Sequence, residues 1–254
     1  MRDLRVEVDG GVATLVIDRP QARNALARQT MRELDDVLGS INESGARVLV
    51  IRGAGARAFC AGGDLKELEQ MRSESEAADM AREMRTTLDR IPQLRIPVIA
   101  ALNGDAFGGG AELAVACDFR VAARHARISF AQITLGLMPA WGASERLAAL
   151  VGRGRALYIL FTGEVMSAAK ARKLGLVEAV CSSESFDDAL RNLAHKIAAA
   201  PPAALAGIKA SVNAVRAHHN PELASETIAA FAKTWADPAH WDAVANLERR
   251  RRDR

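Results

Sequence analysis

The sequence predicts an α/β fold followed by a helical C-terminal region. Short apolar segments typical of buried strands alternate with longer segments of helical periodicity through most of the chain. From the Pro201-Pro202 pair onward the pattern is helical alone. We therefore expect an α/β core over residues 1–198 and a helical region over residues 199–254.

The first elements alternate strand and helix. The segments LRVEV and ATLVID alternate apolar and polar residues and predict a hairpin that turns at Asp9-Gly10-Gly11. Apolar residues at helical spacing predict a helix that begins near Leu26, reaches Ile41 and ends before Gly45. The apolar segment RVLVIRG is the next predicted strand.

The middle of the chain repeats this alternation around two glycine-rich turns. The turn GAGARAFCAGGD precedes one predicted helix from about Leu65 to Arg90, and IPVIAAL is a buried strand. The stretch NGDAFGGGAELAVACD then predicts a turn and a helix, and DFRVAA and ARISF are predicted strands. Beyond Pro139 we expect helices, with LVEAVC as the exception.

Composition excludes several classes of protein. The chain has 254 residues, of which 49% are hydrophobic and 26% charged, and no apolar run approaches the ~20 residues of a membrane span. The start, MRDLRVEVDG, lacks an apolar signal region, so we expect a soluble cytoplasmic protein. Cys60, Cys117 and Cys181 lie far apart with no CxxC pair, which argues against a disulfide framework and a bound metal.

The charge pattern does not favour nucleic acid as a partner. The net charge is +3, and basic residues are mixed with acidic ones except in the final ERRRRDR, which is typical of a solvated helix end. Aromatic residues make up 4% of the chain, so few side chains could stack on bases.

The two glycine-rich turns suggest an anion site. Gly108, Gly109 and Gly110 precede a helix, where a tight turn alone would account for them. A dinucleotide fingerprint would need a further glycine at Leu113, and no GK[ST] phosphate loop is present. A helix N-terminus with bare backbone can also bind negative charge. The turn FCAGGDL has the same form, with Asp64 as a predicted N-cap, so the two turns could face one oxygen.

These segments resemble a known family. FCAGGDLKEL and NGDAFGGGAELAVACDFRVAA, with RPQARNAL upstream and LGLMPAWGASERL and FTGEVMSAAKARKLGLVEAV downstream, are similar in order to the crotonase superfamily of enoyl-CoA hydratases and isomerases. The resemblance implies a superhelix of ββα units with a C-terminal helical trimerisation region. It also implies a homotrimer or homohexamer that acts on acyl-CoA thioesters, with no cofactor because coenzyme A is part of the substrate.

The resemblance assigns roles to individual residues. The N–H groups of Gly63 and Gly109 would hold the thioester oxygen, and Glu112 would move a proton or position a water at the acyl chain. Arg23 and Lys66 would lie near the CoA phosphates or be solvated surface charges. Trp141 would either wall the acyl pocket or pack on the helix that follows Pro139. The substrate-binding residues that the resemblance implies are Arg23, Ala25, Ala61, Gly62, Asp64, Leu65, Lys66, Phe107, Gly108, Pro139 and Trp141.

One position departs from the family pattern. Hydratases carry a second glutamate about twenty residues beyond the first, and FAQITLG places Gln132 there. An amide can hold a group by hydrogen bonds but cannot transfer a proton at neutral pH. Three functions stay open: a hydratase or isomerase that works with Glu112 alone, an acyl-CoA decarboxylase of the ethylmalonyl-CoA type, and a non-catalytic crotonase that binds acyl-CoA or RNA.

Overall fold

The computed structural model describes residues 3–216 and 221–252. The strands, in chain order, are β1 Leu4–Asp9, β2 Val12–Ile17, β3 Val48–Gly53, β4 Ala58–Cys60, β5 Val98–Leu102, β6 Asp105–Phe107, β7 Phe119–Ala123, β8 Arg127–Ser129, β9 Met166–Ser167 and β10 Ala179–Cys181. The helices are α1 Arg28–Ser40, α2 Leu65–Leu68, α3 Glu74–Gln93, α4 Gly109–Ala116, α5 Ala143–Val151, α6 Arg153–Thr162, α7 Ala168–Lys173, α8 Phe186–Ala198, α9 Pro202–Arg216, α10 Pro221–Ala236 and α11 Pro238–Arg252. Short 3₁₀ turns cover Pro20–Ala22, Ile41–Glu43 and Ala131–Leu135.

The strands form two sheets. The larger sheet has the order β1-β2-β3-β5-β7-β10, in which β1 and β2 form the predicted antiparallel hairpin and the later neighbours are parallel. The smaller sheet has the order β4-β6-β8-β9. β3 and β5 are covered on both faces, which is why residues 48–51 of β3 and all of β5 are apolar rather than alternating.

The chain alternates between the sheets. β3, β5 and β7 each add a strand to the larger sheet, and the strand that follows each of them joins the smaller one. Helices follow the first two of these strand pairs before the chain returns to the larger sheet. This repeated ββα path confirms the predicted fold class.

Two apolar cores result from this arrangement. One lies between the two sheets and the helices α1, α3, α4 and α5, and includes Leu15, Ile51, Phe59 and Leu113. The other lies between the opposite face of the larger sheet and α8, where Phe186 and Leu190 pack on Val50 and Ile99. The central parallel strands β3 and β5 are therefore buried on both faces, whereas β1 of the hairpin is largely exposed.

The C-terminal helices return to the core of their own chain. α10 packs along α3 and buries Ile228, Phe231 and Trp235. The indole N–H of Trp235 donates to the carbonyl oxygen of Met71 at 2.6 Å. The apolar stripe of α10 is thus covered within the chain, and α11 contacts the turn Ala131–Leu135.

Three local predictions are wrong. Leu26 precedes α1 and instead pairs with the turn at Gly63, because its backbone is used there as a strand-like bridge. The predicted helix from Leu65 to Arg90 is two helices, since Ser73 and Glu76 form a capping box that begins α3 anew. The strands of the smaller sheet are two or three residues long, and β4, β6 and β9 were read as parts of turns or helices.

Candidate active site

Glu112 lies in the first turn of α4, a helix whose residues are all buried. The Glu112 side chain is 3% exposed and its carboxylate accepts three hydrogen bonds. Oε2 accepts the backbone N–H groups of Trp141 at 2.8 Å and Ala143 at 3.2 Å, and Oε1 accepts the amide Nε2 of Gln132 at 2.9 Å. These contacts fix the carboxylate, and they rule out a surface glutamate that merely complements the helix dipole.

Burial raises the pKa of Glu112 from 4.5 to about 7. Removal of the carboxylate from water is the main cause, and it is opposed by the N–H groups of Ala143 and Trp141, the amide of Gln132 and the charge of Arg146. A group with this pKa is present in both protonation states near neutral pH. It can therefore accept and return a proton there.

The two glycine turns meet in front of α4. Gly62 has φ +96° and Gly108 has φ +54°, backbone conformations that favour glycine. A Cβ atom on Gly62 would lie 2.9 Å from the carbonyl oxygen of Phe107 and 3.1 Å from the backbone nitrogen of Gly109. The close approach of the turns therefore depends on bare backbone, which explains the glycines that the sequence places in both.

The Gly63 and Gly109 N–H groups flank this contact. Gly109 is the first residue of α4, where a helix leaves its N–H groups without an intrahelical acceptor. At Gly63, the bridge to Leu26 uses the carbonyl oxygen of Gly62 and the N–H of Asp64 instead. Within residues 3–216 and 221–252, no hydrogen bond occupies either N–H.

A loop that precedes α1 holds the first turn in place. The N–H of Ala61 donates to the carbonyl oxygen of Arg23 at 3.1 Å, and the N–H of Leu26 donates to that of Gly62 at 2.8 Å. Arg23 and Asn24 have positive φ, and the Asn24 amide donates to the carbonyl oxygen of Ala58 at 2.8 Å. The loop thus brings Arg23 to the first glycine turn.

Comparison with known proteins identifies the family of the chain. The model of the family described as enoyl-CoA hydratase/isomerase matches residues 7–251. The chain belongs to the enoyl-CoA hydratase/isomerase family of the crotonase superfamily. It is 36% identical over 214 residues to the short-chain-enoyl-CoA hydratase of Clostridium acetobutylicum, covering 84% of this chain and 82% of that protein. It is also 36% identical over 209 residues to the crotonyl-CoA hydratase of Syntrophomonas wolfei, covering 82% and 80% of the two chains.

Solved structures of the family share the fold. The enoyl-CoA hydratase of Bacillus anthracis superposes with a TM-score of 0.82 at 37% identity, and covers 89% of each chain. An enoyl-CoA hydratase/isomerase from Xanthobacter autotrophicus superposes with a TM-score of 0.87 at 25% identity, covering 99% of this chain and 93% of that one. The family assignment therefore holds for nearly the whole chain.

The remaining residues implied by the family resemblance have different surroundings. Asp64 is at the N-cap position of α2 but makes no side-chain cap; its carboxylate instead pairs with Arg19 at 2.9 Å. Arg19 also donates to the carbonyl oxygen of Ala25 at 2.6 Å. Leu65 begins α2 and is partly exposed, and Lys66 follows it on the surface. Pro139 is buried in the segment that leads to Trp141.

Sequence reasoning missed the groups that hold Glu112. The Trp141 and Ala143 N–H groups bind its carboxylate, and Gly142 with φ +97° between them makes the bend that aims both at one oxygen. Arg146 donates to the carbonyl oxygen of Trp141 at 2.6 Å and pairs with Asp89. The glycine in MPAWGAS was the available signal of a bend, but Glu112, which the N–H groups around this bend bind, lies some thirty residues earlier in the sequence.

Other features of the structure lie away from this site. Among the described residues, no three His, Cys, Asp or Glu side chains are grouped to hold a metal ion. In the same part of the chain, no helix has the length and apolar character to cross a membrane. A cleft of about 330 Å³ opens between the hairpin and α8, lined by Glu7, Arg52 and His195 among others, and none of the predicted site residues lines it.

Proposed function

We propose that the protein is an acyl-CoA enzyme of the enoyl-CoA hydratase/isomerase type that uses Glu112 as its single acid/base. The observation that carries this proposal is the buried Glu112 carboxylate beside two glycine turns whose N–H groups, at Gly63 and Gly109, have no acceptor in the described chain. Proton transfer at a carbon next to a thioester needs both parts. One group moves the proton, and the other stabilises the charge that develops on oxygen.

The thioester oxygen would lie between the two N–H groups. In the transition state, negative charge moves onto that oxygen, and each fixed donor in a site shielded from water can supply about 3 kcal/mol. The positive end of the α4 dipole, at Gly109, adds to this stabilisation. No cofactor is needed, because coenzyme A arrives as part of the substrate. Arg23 and Lys66 are proposed to lie near its phosphates.

Gln132 defines what the site can do. Its Nε2 donates to Glu112 Oε1, so the amide orients the carboxylate but supplies no second acid or base. Its Oε1 is buried and has no hydrogen-bond partner within the described residues. A buried acceptor of this kind is costly when unpaired, which favours a bound water or substrate donor at that oxygen. Hydration would then proceed with one carboxylate in place of two.

A second function follows from the same amide. Loss of CO₂ from a malonyl-type thioester produces the enolate without any base, so the two N–H groups would suffice and Glu112 or a water would return a proton. Gln132 favours this alternative, because a neutral amide does not repel the carboxylate of such a substrate. A non-catalytic protein that binds acyl-CoA or RNA is the third candidate.

The deciding experiment presents the purified protein with crotonyl-, 3-enoyl- and ethylmalonyl-CoA and follows the products by mass. Added water or a moved double bond is the expected result. Loss of CO₂ without water addition would replace the first proposal with the decarboxylase. Tight binding of the thioesters with no turnover of any of them would favour the non-catalytic protein.

The proposed assembly is a homotrimer or homohexamer in the cytoplasm. α10 is covered by its own chain, so its stripe does not argue for assembly. Other apolar side chains stay exposed, on α6 and beside it: Tyr158 is 59% and Phe161 70% exposed, and Ile133 and Val165 are also exposed. Such a patch on a folded chain favours a protein contact. The family resemblance makes the region over residues 199–254 the proposed trimerisation region, although its helix α10 packs on α3 of the same chain.

A further inference from the structure

Trp141 lies across both glycine turns. A Cβ atom on Gly109 would lie 2.6 Å from Cη2 and 2.8 Å from Cε3 of the Trp141 indole, and nearer still to Cζ3. A Cβ atom on Gly63 would lie 3.9 Å from the same Cη2. The ring therefore rests in van der Waals contact with the backbone of Gly109 and reaches towards Gly63, beside the two N–H groups assigned to the thioester oxygen.

The backbone of Trp141 is held from two sides. Its N–H donates to Glu112 at 2.8 Å, and its carbonyl oxygen accepts Arg146 Nη1 at 2.6 Å. Arg146 is itself paired with Asp89, which also lies 3.5 Å from Arg85. Trp141 is 5% exposed and packs in the main core. A backbone shift that moved the ring off the glycine turns would break these hydrogen bonds, whereas a rotation about the side-chain bonds would leave them intact.

The position of the ring constrains the acyl group. A carbonyl held by the Gly63 and Gly109 N–H groups places the next acyl carbons close to Glu112, since Glu112 must reach them. The Trp141 N–H that binds Glu112 and the Trp141 ring that covers Gly109 belong to the same residue. Acyl carbons within reach of the carboxylate are consequently also close to the residue whose indole covers Gly109.

We infer that Trp141 limits the substrate to short, compact acyl groups of about the size of crotonyl. This inference rests on the proposed function, and it names the substrate class of that site. A longer chain would have to continue into the volume that the indole fills, and buried protein volume is packed densely enough that an extra methylene is felt. Binding of longer chains would require the ring to rotate out of its packed position.

The test compares the wild-type protein with Trp141→Ala and Trp141→Phe. The value of kcat/KM is measured for crotonyl-, hexenoyl-, octenoyl- and decenoyl-CoA. One methylene group that fits or misfits a hydrophobic pocket can change kcat/KM by about 10–200-fold. We therefore expect the kcat/KM of the wild type to be at least ~10²-fold higher for crotonyl- than for decenoyl-CoA. Trp141→Ala should reduce this ratio by ~10-fold or more, with Trp141→Phe between the two. Trp241→Ala, whose ring contacts Trp235, His240 and Arg72, is the matched control and should keep the wild-type ratio.

Binding of unreactive thioesters separates the possible failures. Dissociation constants for butyryl-, hexanoyl-, octanoyl- and decanoyl-CoA should follow the same order and respond to the same variants. A wild-type protein that binds and converts all lengths equally would overturn the inference and leave the proposed function intact. Binding of none of these thioesters would overturn the proposed function itself. Should Trp141→Ala fail to fold, the dependence of kcat/KM on chain length is compared between the wild type and Trp141→Phe. A preference for crotonyl-CoA that is weaker in Trp141→Phe than in the wild type supports the inference, and an unchanged preference overturns it.

Discussion

Replacement of Glu112 by glutamine should change how the stability of the protein depends on pH. The pKa of Glu112 is raised from 4.5 to about 7 in the folded state by burial. Between these values the folded protein keeps a proton that the unfolded chain has released, so the contribution of this group is fully present below pH 4.5 and is lost as pH rises through 7. The change in pKa corresponds to a loss of ~3 kcal/mol in the free energy of unfolding.

Glu112→Gln removes the charge and keeps most of the contacts. Its amide oxygen can still accept the Trp141 and Ala143 N–H groups, and its NH₂ can donate to Gln132 once that amide has rotated. The free energy of unfolding of the variant, minus that of the wild type, should therefore rise by ~3 kcal/mol from pH 4.5 to above pH 7.

Urea titrations followed by far-UV circular dichroism, at one fixed protein concentration so that any assembly contributes equally, measure this difference. Glu43→Gln, at an exposed glutamate, is the matched control and should follow the wild-type pH profile. If the free energy of unfolding of Glu112→Gln and of the wild type changed with pH in parallel, the reasoning would be refuted. Ionisation of Glu112 would then cost no more free energy in the folded protein than in the unfolded chain.

Three further predictions concern the reaction and the assembly. Gln132→Glu replaces the amide whose Nε2 lies 2.9 Å from Glu112 with a second carboxyl group. It should raise crotonyl-CoA hydration, because acid and base are then both present, and lower any decarboxylation, because it repels a substrate carboxylate; assays of both substrates in one buffer measure the two effects. A side chain at Gly109 would collide with Trp141, so the Gly109 N–H is tested in a Trp141→Ala background. There, Gly109→Pro, which lacks the N–H, should turn over crotonyl-CoA ~10²-fold more slowly than Gly109→Ala, which keeps it. Equal rates for the two variants would remove Gly109 from the oxyanion site. Sedimentation at micromolar concentration should show a trimer or larger species that Phe161→Asp weakens, and a stable wild-type monomer would contradict this.

Local patterns predicted the larger sheet well. The hairpin, the apolar strands β3 and β5, and the turn before α4 are each encoded within a few neighbouring residues, by alternation, by continuous apolar character or by glycine. Of the smaller sheet the sequence predicts β8 alone, because β4, β6 and β9 are two or three residues long and lie within turns or helical patterns. A strand of that length has no measurable period, and its pairing comes entirely from distant partners.

The sequence by itself determined the family, the fold class, and the presence of one glutamate directly after a glycine turn, with an amide where a second carboxylate would be expected. These features depend on residue identity and local spacing. The tertiary structure alone decided how Glu112 is held, because its donors at Trp141 and Ala143 are backbone groups some thirty residues away, and a backbone N–H has no signature in the sequence. It also decided that Trp141 covers Gly109, since that contact joins two segments whose approach is set by the packing of α4 against α5.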